Sequence, residues 1–340
     1  MSAIEKSGDI GAALPRRKID FAPALLPFLI ALVAAPLIGS TSTFFTLTFA
    51  SLAMGLMLFT MASGFTLVFG LMDVLNFGHG AFISIGAYMA TLVFAPLILW
   101  SQAGSLGLNL GVIFLAGAVA AIVCGALGLV FERLLVRPVY GQHLKQILVT
   151  TGGLIVVEQL LYALFGPDTI PLALPTALRG AFVIGDAAIE KFRLLAVIVG
   201  LVIFAGLSLT LNYTKIGLLI RAGVENREMV EALGYRINRL FLAVFMAGSA
   251  LAGLGGVLWA LYREQVHASV GESLTVLIFI VVITGGLGSI GGCFLGATLV
   301  ALVANYAGFL APKIALVSNI ALMVAVLLWR PRGLYPAGGR

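Results

Sequence analysis

The sequence predicts an all-α protein: a polytopic transmembrane helical bundle of about eight to ten membrane segments, with Gly-rich broken or re-entrant stretches. Between Ala24 and Trp329 one apolar run follows another, and short polar or Gly/Pro-rich breaks separate them. A hydrocarbon core about 30 Å thick needs roughly 20 apolar residues per helix. Strands of a membrane barrel would alternate in polarity, and these runs do not, so they are predicted to be helices.

The composition supports this fold class. Hydrophobic residues make up 61% of the 340 residues and charged residues 10%, whereas a soluble domain has about 25% charged residues. The 41 glycines suit helices in lipid, where small residues let backbones approach each other. Cys124 and Cys293 have no His or second Cys at metal-ligand spacing, so both are expected to pack as small apolar side chains. No metal site and no cofactor are predicted.

Ten apolar segments follow one another along the chain. They are predicted to form one transmembrane domain, 23–330, between an N-terminal tail, 1–22, and a C-terminal tail, 331–340. Glycines crowd the junction of the eighth and ninth segments, which is therefore a candidate broken or re-entrant helix. The segments cover residues 24–39, 45–71, 79–100, 109–131, 146–165, 193–211, 240–261, 274–288, 291–309 and 313–329.

The positively charged residues predict the orientation, because Lys and Arg prefer short cytoplasmic loops. Ten alternating crossings place fifteen of the 20 Lys and Arg residues on one side and five on the other. Both termini of this multi-pass protein are therefore expected in the cytoplasm. The five residues of the opposite side are Arg179, Lys191, Arg193, Arg263 and Lys313.

The N-terminal region has a second interpretation. Arg16, Arg17 and Lys18 precede an apolar stretch, as in a signal peptide. The late start of that stretch and its prolines favour an uncleaved helix. The net charge of +6 lies in loops that flank the membrane, so the lipid bilayer is the expected partner of these charges and nucleic acid is not.

Polar residues interrupt the apolar sequence between the second and third segments. Asp73, Asn76 and His79 lie there beside Phe77 and several glycines. Helices broken at membrane depth are tolerated where the backbone lines a cavity, and their free ends bind polar ligands or ions. These four residues are therefore candidates for a transport path. The alternative is an ordinary turn in which Asp73 and Asn76 cap the next helix.

The polar loop 212–239 is the longest predicted cytoplasmic connection. Within it, Val224, Met229, Val230 and Leu233 can share one helical face, and glycines 223 and 234 bound the stretch. A short amphipathic helix of this kind can dock into a groove on a soluble partner. A solvated basic loop is the alternative.

Two further features lie within the apolar segments. The stretch 284–296 has six glycines, among them Gly285, Gly286 and Gly288, and serves either close helix packing or a gate for a solute. Glu158 is a carboxylate inside the fifth segment, which requires protonation, a wet cavity or a partner such as Lys145 or another subunit.

The sequence argues against an enzyme, because it has no GxxxxGK[ST] loop, no zincin His pair and no recognisable Ser/His/Asp set. Carriers driven by ions need charges within the bundle, and here Asp73 and Glu158 are the candidates. A permease driven by a cytosolic ATPase needs few such charges but does need a docking element, which loop 212–239 can supply.

Several stretches resemble permease subunits of branched-chain amino acid ABC importers. They are Asn76-Phe77-Gly78-His79-Gly80 followed by Gly86-Ala87-Tyr88, residues 284–292, and the run from Arg221 to Gly234. The elements Glu132-Arg133, Arg137-Pro138 and 150–154 fall where that family has similar ones, and the resemblance spans about residues 45–335. The segment before residue 40 and Glu158 depart from the family pattern, as does Gly78, where Ala is common.

The resemblance implies the membrane subunit of a bacterial importer. Its expected partners are two cytosolic ATPases, a second related permease or another copy of this chain, and an extracytoplasmic binding protein that delivers branched-chain amino acids or related small amides. The helix from Gly223 to Gly234 would be the coupling helix. The implied coupling residues are Arg221, Gly223, Glu225, Asn226, Arg227, Glu231 and Gly234.

Two other functions remain open. A secondary carrier or facilitator that works alone would use Asp73, His79 and Glu158 as its polar path. A sugar permease of the same superfamily would differ in the ligand of its binding protein.

Overall fold

The computed structural model describes residues 21–225 and 227–336. In these residues the chain forms thirteen α-helices, and each of the ten predicted apolar segments corresponds to one of the longer helices. The predicted N-terminal tail lies outside the described residues up to position 20. The helices are α1 (Ala22–Ile38), α2 (Thr41–Met72), α3 (His79–Phe94), α4 (Ile98–Gln102), α5 (Leu106–Phe131), α6 (His143–Phe165), α7 (Lys191–Tyr213), α8 (Lys215–Glu225), α9 (Arg227–Ala232), α10 (Ile237–Arg263), α11 (Val270–Gly285), α12 (Ile290–Leu310) and α13 (Ala315–Trp329).

Helix lengths confirm a multi-pass membrane protein. Across the described ranges, six helices are long and apolar enough to cross a membrane: α2, α5 with its extension to Val139, α6, α7, α10 and α12. Four more apolar helices of 10–17 residues accompany them. At a rise of 1.5 Å per residue, these four helices are shorter than the hydrocarbon core of about 30 Å. They therefore fit a bilayer only where neighbouring helices cover the rest of its thickness.

The third predicted segment, 79–100, is wrong at its C-terminal end. Helix α3 ends at Phe94, a turn follows, and a separate short helix begins at Ile98. Pro96 lies in that turn, and proline has no N–H with which to continue a helix.

The glycine-rich junction of the eighth and ninth segments is a tight turn between two helices. Helix α11 ends at Gly285 and α12 begins at Ile290. Gly286 and Gly288 have φ angles of 105° and 78°, a region that glycine enters without a steric penalty. The Ser289 hydroxyl then accepts from the Gly292 N–H at 3.1 Å and caps α12.

Two short antiparallel strand pairs occur in loops where the sequence predicted no strands. Strand β1 (Ile170–Pro171) pairs with β4 (Gln265–Val266), and β2 (Ala181–Ile184) pairs with β3 (Ala187–Glu190). The first pair ties the connection before α7 to the connection after α10.

Helix α2 forms the centre of the bundle and packs against α7, α10, α11 and α12. From Leu56 to Val68 every residue of this helix is buried. A helix that is apolar on all faces is expected at such a position. Helices α6 and α7 are largely exposed, and their exposed faces are available to lipid or to another subunit.

The bundle has two ends that the connections define. The Asp73 end carries the α2–α3 turn, the start of α6, the α11–α12 turn and residues 330–336, which contact one another. The His267 end carries both strand pairs and the α10–α11 connection.

Candidate functional site

The break between α2 and α3 begins at Asp73, whose backbone is left-handed with a φ angle of 53°. Its N–H still donates to the Phe69 carbonyl oxygen at 3.0 Å, so the helical hydrogen bonding of α2 continues to the end of the helix. Residues 73–76 then run without regular structure, and α3 begins at His79.

Side chains of α6 hold this break in place. The Leu75 N–H donates to Gln146 Oε1 at 3.3 Å, and the Phe77 N–H donates to Thr150 Oγ1 at 3.0 Å. Both α6 side chains are fully buried. Gln146 and Thr150 lie one turn apart on one face of α6, so one helix face satisfies two backbone donors that the break leaves free.

Asn76 and His79 place polar atoms in the protein interior just past these contacts. Asn76 is 1% exposed, and in the described structure neither its Nδ2 nor its Oδ1 has a hydrogen-bond partner. His79 Nε2 lies 2.9 Å from the Met61 carbonyl oxygen, which only accepts, so Nε2 carries the hydrogen and Nδ1 is left as a buried acceptor without a partner. Such groups are rare in native proteins, and a functional role is one of the explanations for them.

Aromatic rings surround these polar groups. The centroid of the Phe279 ring from α11 lies 4.4 Å from that of Phe77 and 4.8 Å from that of Phe65. The Phe65 ring in turn meets His79 edge-on at 5.8 Å. The break therefore places polar atoms and aromatic rings side by side in the protein interior.

Asp73 does not join this group. Its carboxylate is half exposed and lies 3.9 Å from His143 Nε2 at the start of α6. Exposed pairs of this kind contribute little to stability. The expectation that Asp73 and Asn76 cap the next helix is wrong, since the N-cap of α3 is Gly78 and no side chain bonds to it.

The glycine-rich turn meets the same end of the bundle. Gly288 contacts Gly70 of α2, and Gly285 contacts Gly292 across the turn, at distances that exclude a β-carbon. Gly286 lies against the backbone of Gly333 and Pro336. The structure thus brings the α2–α3 break and this turn together around α2 and α11, and it uses the glycines for close packing.

Glu158 lies apart from the polar break. It is half-buried in α6, eight residues beyond Thr150, or about 12 Å along the helix. Lys145, one proposed partner, is about 20 Å away by the same rise, so it cannot pair with Glu158. Glu158 instead lies within electrostatic range of Glu272 near the start of α11.

Helices α8 and α9 cover the predicted amphipathic stretch of loop 212–239 on the two sides of position 226, which lies outside the described residues. Gly223 does not start a helix; it lies inside α8, where the missing side chain makes room for Ile237. The second boundary is confirmed: Gly234, with a φ angle of 85°, follows α9, and its N–H donates to the Glu231 carbonyl oxygen at 2.9 Å. Asn226 and the side chains of Arg221, Val224, Glu225 and Arg227 lie outside the described part of the structure.

The α9 helix has a buried side and an exposed side. Val230 is 2% exposed and forms a cluster with Ile237 and Phe241 of α10, against which Met72, the last residue of α2, packs. Met229 and Leu233, which the sequence placed on the same face as Val230, are 51% and 69% exposed. One side of α9 is therefore anchored on two long helices while the other presents apolar side chains.

Gln146 and Thr150 are the site residues that sequence reasoning missed. Their signal was available, because two polar residues one turn apart in an apolar helix face the same neighbour. Both cysteines are buried, as predicted, and Cys124 Sγ contacts the Phe82 carbonyl oxygen at 3.4 Å. Among the residues that the structure describes, no group of three or more His, Cys, Asp or Glu could hold a metal ion.

Comparisons with known proteins agree on one class. Residues 47–327 match the family described as "Branched-chain amino acid transport system / permease component". The chain is 29% identical to the high-affinity branched-chain amino acid transport system permease protein BraD of Pseudomonas aeruginosa, over 80% of this chain and 89% of that protein. It is 28% identical to LivH of Escherichia coli, a permease protein of the same description, with the same coverage. No solved structure matches significantly.

Proposed function

Since this chain belongs to the family of branched-chain amino acid transport permeases, we propose that it is the membrane subunit of an ATP-driven importer. The solutes are branched-chain amino acids or related small amino acids and amides. An extracytoplasmic binding protein delivers them, and a second permease, either a related chain or another copy of this one, completes the path.

Two cytosolic ATPases supply the energy in this proposal. A permease subunit is not itself catalytic, and the sequence contains no GxxxxGK[ST] loop for nucleotide phosphates. The ATPases dock at the exposed side of α9, where Met229 and Leu233 are accessible. A helix laid into a groove through such apolar anchors is a common docking mode.

The single observation that carries the proposal is the apolar cluster that joins α9, α10 and the end of α2. Val230 of α9 forms this cluster with Ile237 and Phe241 of α10, and Met72 at the end of α2 packs against the cluster. Any displacement of α9 by a closing ATPase pair is thereby passed to the end of α2. Four residues later the chain reaches Asn76, so docking site and polar break share one helix end.

Solute passes the polar break in this mechanism. Asn76 and His79 provide donors and acceptors, and the rings of Phe77 and Phe279 contact apolar side chains. The close glycine contacts of the α11–α12 turn, at Gly285, Gly286 and Gly288, fix α11 beside the break. Motion of α2 against α11 opens the path to one side at a time.

The orientation follows from the charges. Loops at the Asp73 end carry most of the Lys and Arg residues, whereas Arg179, Lys191, Arg193, Arg263 and Lys313 belong to the opposite connections. By the positive-inside rule the Asp73 end faces the cytoplasm. Domain 23–330 then spans the bacterial inner membrane with both tails in the cytoplasm.

Copurification tests the proposal. The tagged chain is purified from its host in mild detergent, with the double variant Met229→Asp, Leu233→Asp beside it. We expect two ATPase subunits with the parent chain and at least a tenfold loss of them with the variant. Val183→Asp in the β2–β3 hairpin is the matched control, because Val183 is 70% exposed at the other end of the bundle.

Three outcomes would count against the proposal. They are copurification without any ATPase, equal ATPase recovery with the double variant, and leucine uptake by vesicles that contain this chain alone without ATP. The last result would favour a carrier that works without partners.

A further inference from the structure

A cavity of about 450 Å³ opens at the His267 end, far from the polar break. Its volume lies within the range of about 300–1,000 Å³ that is usual for small-molecule sites. Its walls come from α2, α10, β4, α11 and α12.

The periodicity of the sequence explains how these walls arise. Trp259, Tyr262 and Arg263 of α10 lie at positions i, i+3 and i+4, so they share one helix face. In the extended segment that follows, Gln265 and His267 point to the cavity while Val266 between them is fully buried in the core, as expected for a period of two.

Backbone and side-chain contacts support the rim of the cavity. Glu264 is left-handed, with a φ angle of 52°, and turns the chain from α10 into β4. Its carbonyl oxygen accepts from the Leu172 N–H at 2.9 Å, and β4 pairs with β1. Arg193 lies over the Tyr262 ring at 5.9 Å and pairs with Glu190 at 2.8 Å. Sites on rigid supports hold a ligand in a fixed geometry.

The lining separates into a polar and an apolar part. The polar part includes Arg263, His267 and the amide of Asn305, and no Asp or Glu lines the cavity. Within the described residues, the Arg263 guanidinium forms no hydrogen bond or ion pair, and Asn305 Oδ1 accepts none. The apolar part includes Met54, Leu274 and Leu277. A guanidinium binds a carboxylate through two parallel hydrogen bonds.

We propose that this cavity is the entry site for the transported solute: it binds the carboxylate of a small aliphatic amino acid through Arg263, accepts its ammonium group at Asn305 Oδ1, and takes its side chain between Met54 and Leu277. The inference rests on the proposed importer function and adds residues that select for the zwitterion and for its aliphatic side chain. A neutral sugar has no carboxylate for the Arg263 guanidinium to bind.

Fluorescence of Trp259 reports occupancy directly. The full-length chain, with Trp100→Phe and Trp329→Phe, is placed in phosphatidylcholine nanodiscs and titrated with L-leucine, with L-leucinamide and with L-alanine. We expect L-leucine to change the emission and L-leucinamide, which lacks the carboxylate, to bind at least tenfold more weakly. Arg263→Gln should weaken L-leucine binding at least tenfold and leave L-leucinamide binding unchanged.

Two further variants make the test specific. Lys313→Gln removes a charge at the same end outside the cavity lining, and it should leave L-leucine binding unchanged. Leu277→Ala should weaken L-leucine binding severalfold but not L-alanine binding. Equal effects of Arg263→Gln and Lys313→Gln, or no emission change with L-leucine, would overturn the inference. So would competition by phosphatidylglycerol, since it would identify a lipid-headgroup site.

Uptake by the host separates this inference from the proposed function. We expect Arg263→Gln to raise the KM for L-leucine uptake at least fivefold with the maximal rate preserved. An unchanged KM in cells that import L-leucine through this chain would refute the entry site and leave the importer standing. No L-leucine import by the parent chain would refute the importer itself.

Discussion

Gly86 of α3 lies directly against Gly253 of α10, and the Gly253 carbonyl oxygen occupies the space that a β-carbon of residue 86 would need. Gly256 meets α3 in the same way at the Ile83 carbonyl oxygen. Close backbone approach of this kind drives helix association in lipid, where burial of apolar surface gives no driving force. The fixed spacing of α3 and α10 therefore depends on glycine.

The first prediction concerns Gly86→Ala. The added methyl group must displace backbone, so we expect a loss of about 1–3 kcal/mol in the free energy of unfolding and a lower Tm in detergent. Gly206→Ala is the control, because nothing lies within 4 Å of its β-position in α7. Equal Tm values for the two variants would show that the α3–α10 contact is looser than described.

The second prediction concerns the support of the α2–α3 break. Thr150→Val keeps the shape of the side chain but removes the acceptor of the Phe77 N–H. A buried donor without a partner costs about 1–3 kcal/mol, so the break should open more often. Hydrogen exchange of the peptide 70–82 should become faster.

Thr151→Val is the matched control for this exchange measurement. Thr151 is the next residue of α6, and in the described structure it forms no hydrogen bond to the break. Identical exchange in both variants would mean that Thr150 does not hold the Phe77 amide.

The third prediction concerns the segment after α13. The Leu334 N–H donates to the Thr284 carbonyl oxygen at 3.0 Å, and the Tyr335 N–H donates to that of Gly285 at 2.9 Å. The Leu334 side chain is fully buried. Leu334→Ala should therefore cost about 2–5 kcal/mol and lower the Tm, whereas Leu328→Ala, 82% exposed on α13, should not. A Tm unchanged by Leu334→Ala would mean that this segment does not stabilise the α11–α12 turn.

The fourth prediction is a pH dependence. Burial, and then the positive charge of Arg263, lower the pKa of His267 from its ordinary value of 6.5. The unfolded chain therefore binds a proton before the folded chain does as the pH falls. This group contributes stability that is complete above pH 6.5 and is lost as the pH drops below it.

Thermal unfolding at pH 7 and pH 5 measures this contribution. His267→Gln should lose less Tm between the two pH values than the parent chain. Arg263→Gln should also reduce the loss, because it removes one of the two causes of the lowered pKa. The same Tm difference in all three proteins would contradict the assignment.

Sequence reasoning predicted the ten segments because length and polarity alone decide which helices can cross lipid. It could not predict which glycines meet, since Gly86 and Gly253 are 167 positions apart and only the packed bundle brings them together. The prediction that Gly223 bounds a helix was wrong for the same reason, because this glycine makes room for Ile237 in the packed bundle. The polar break was found because Asn76 and His79 interrupt an apolar stretch, whereas the cavity at Arg263 needs contributions from five elements.

The last prediction separates structure from function at Asn76. Its amide is buried without hydrogen-bond partners in the described structure, and each such group costs about 1–3 kcal/mol. Replacing both amide groups by apolar ones of similar size should therefore raise the Tm in Asn76→Leu. If the amide contacts the passing solute, the same variant should lose at least tenfold in L-leucine uptake.

Asn109→Leu is the matched control, since the Asn109 amide is fully used. Its Nδ2 donates to the Trp100 and Ala103 carbonyl oxygens, and its Oδ1 accepts from the Ala177 N–H at 2.7 Å. This substitution should lower the Tm, because it leaves three backbone groups unpaired. Higher stability with lost uptake in Asn76→Leu would identify an amide kept for transport at the expense of stability. Lower stability in both variants would instead make Asn76 a structural residue and remove it from the path.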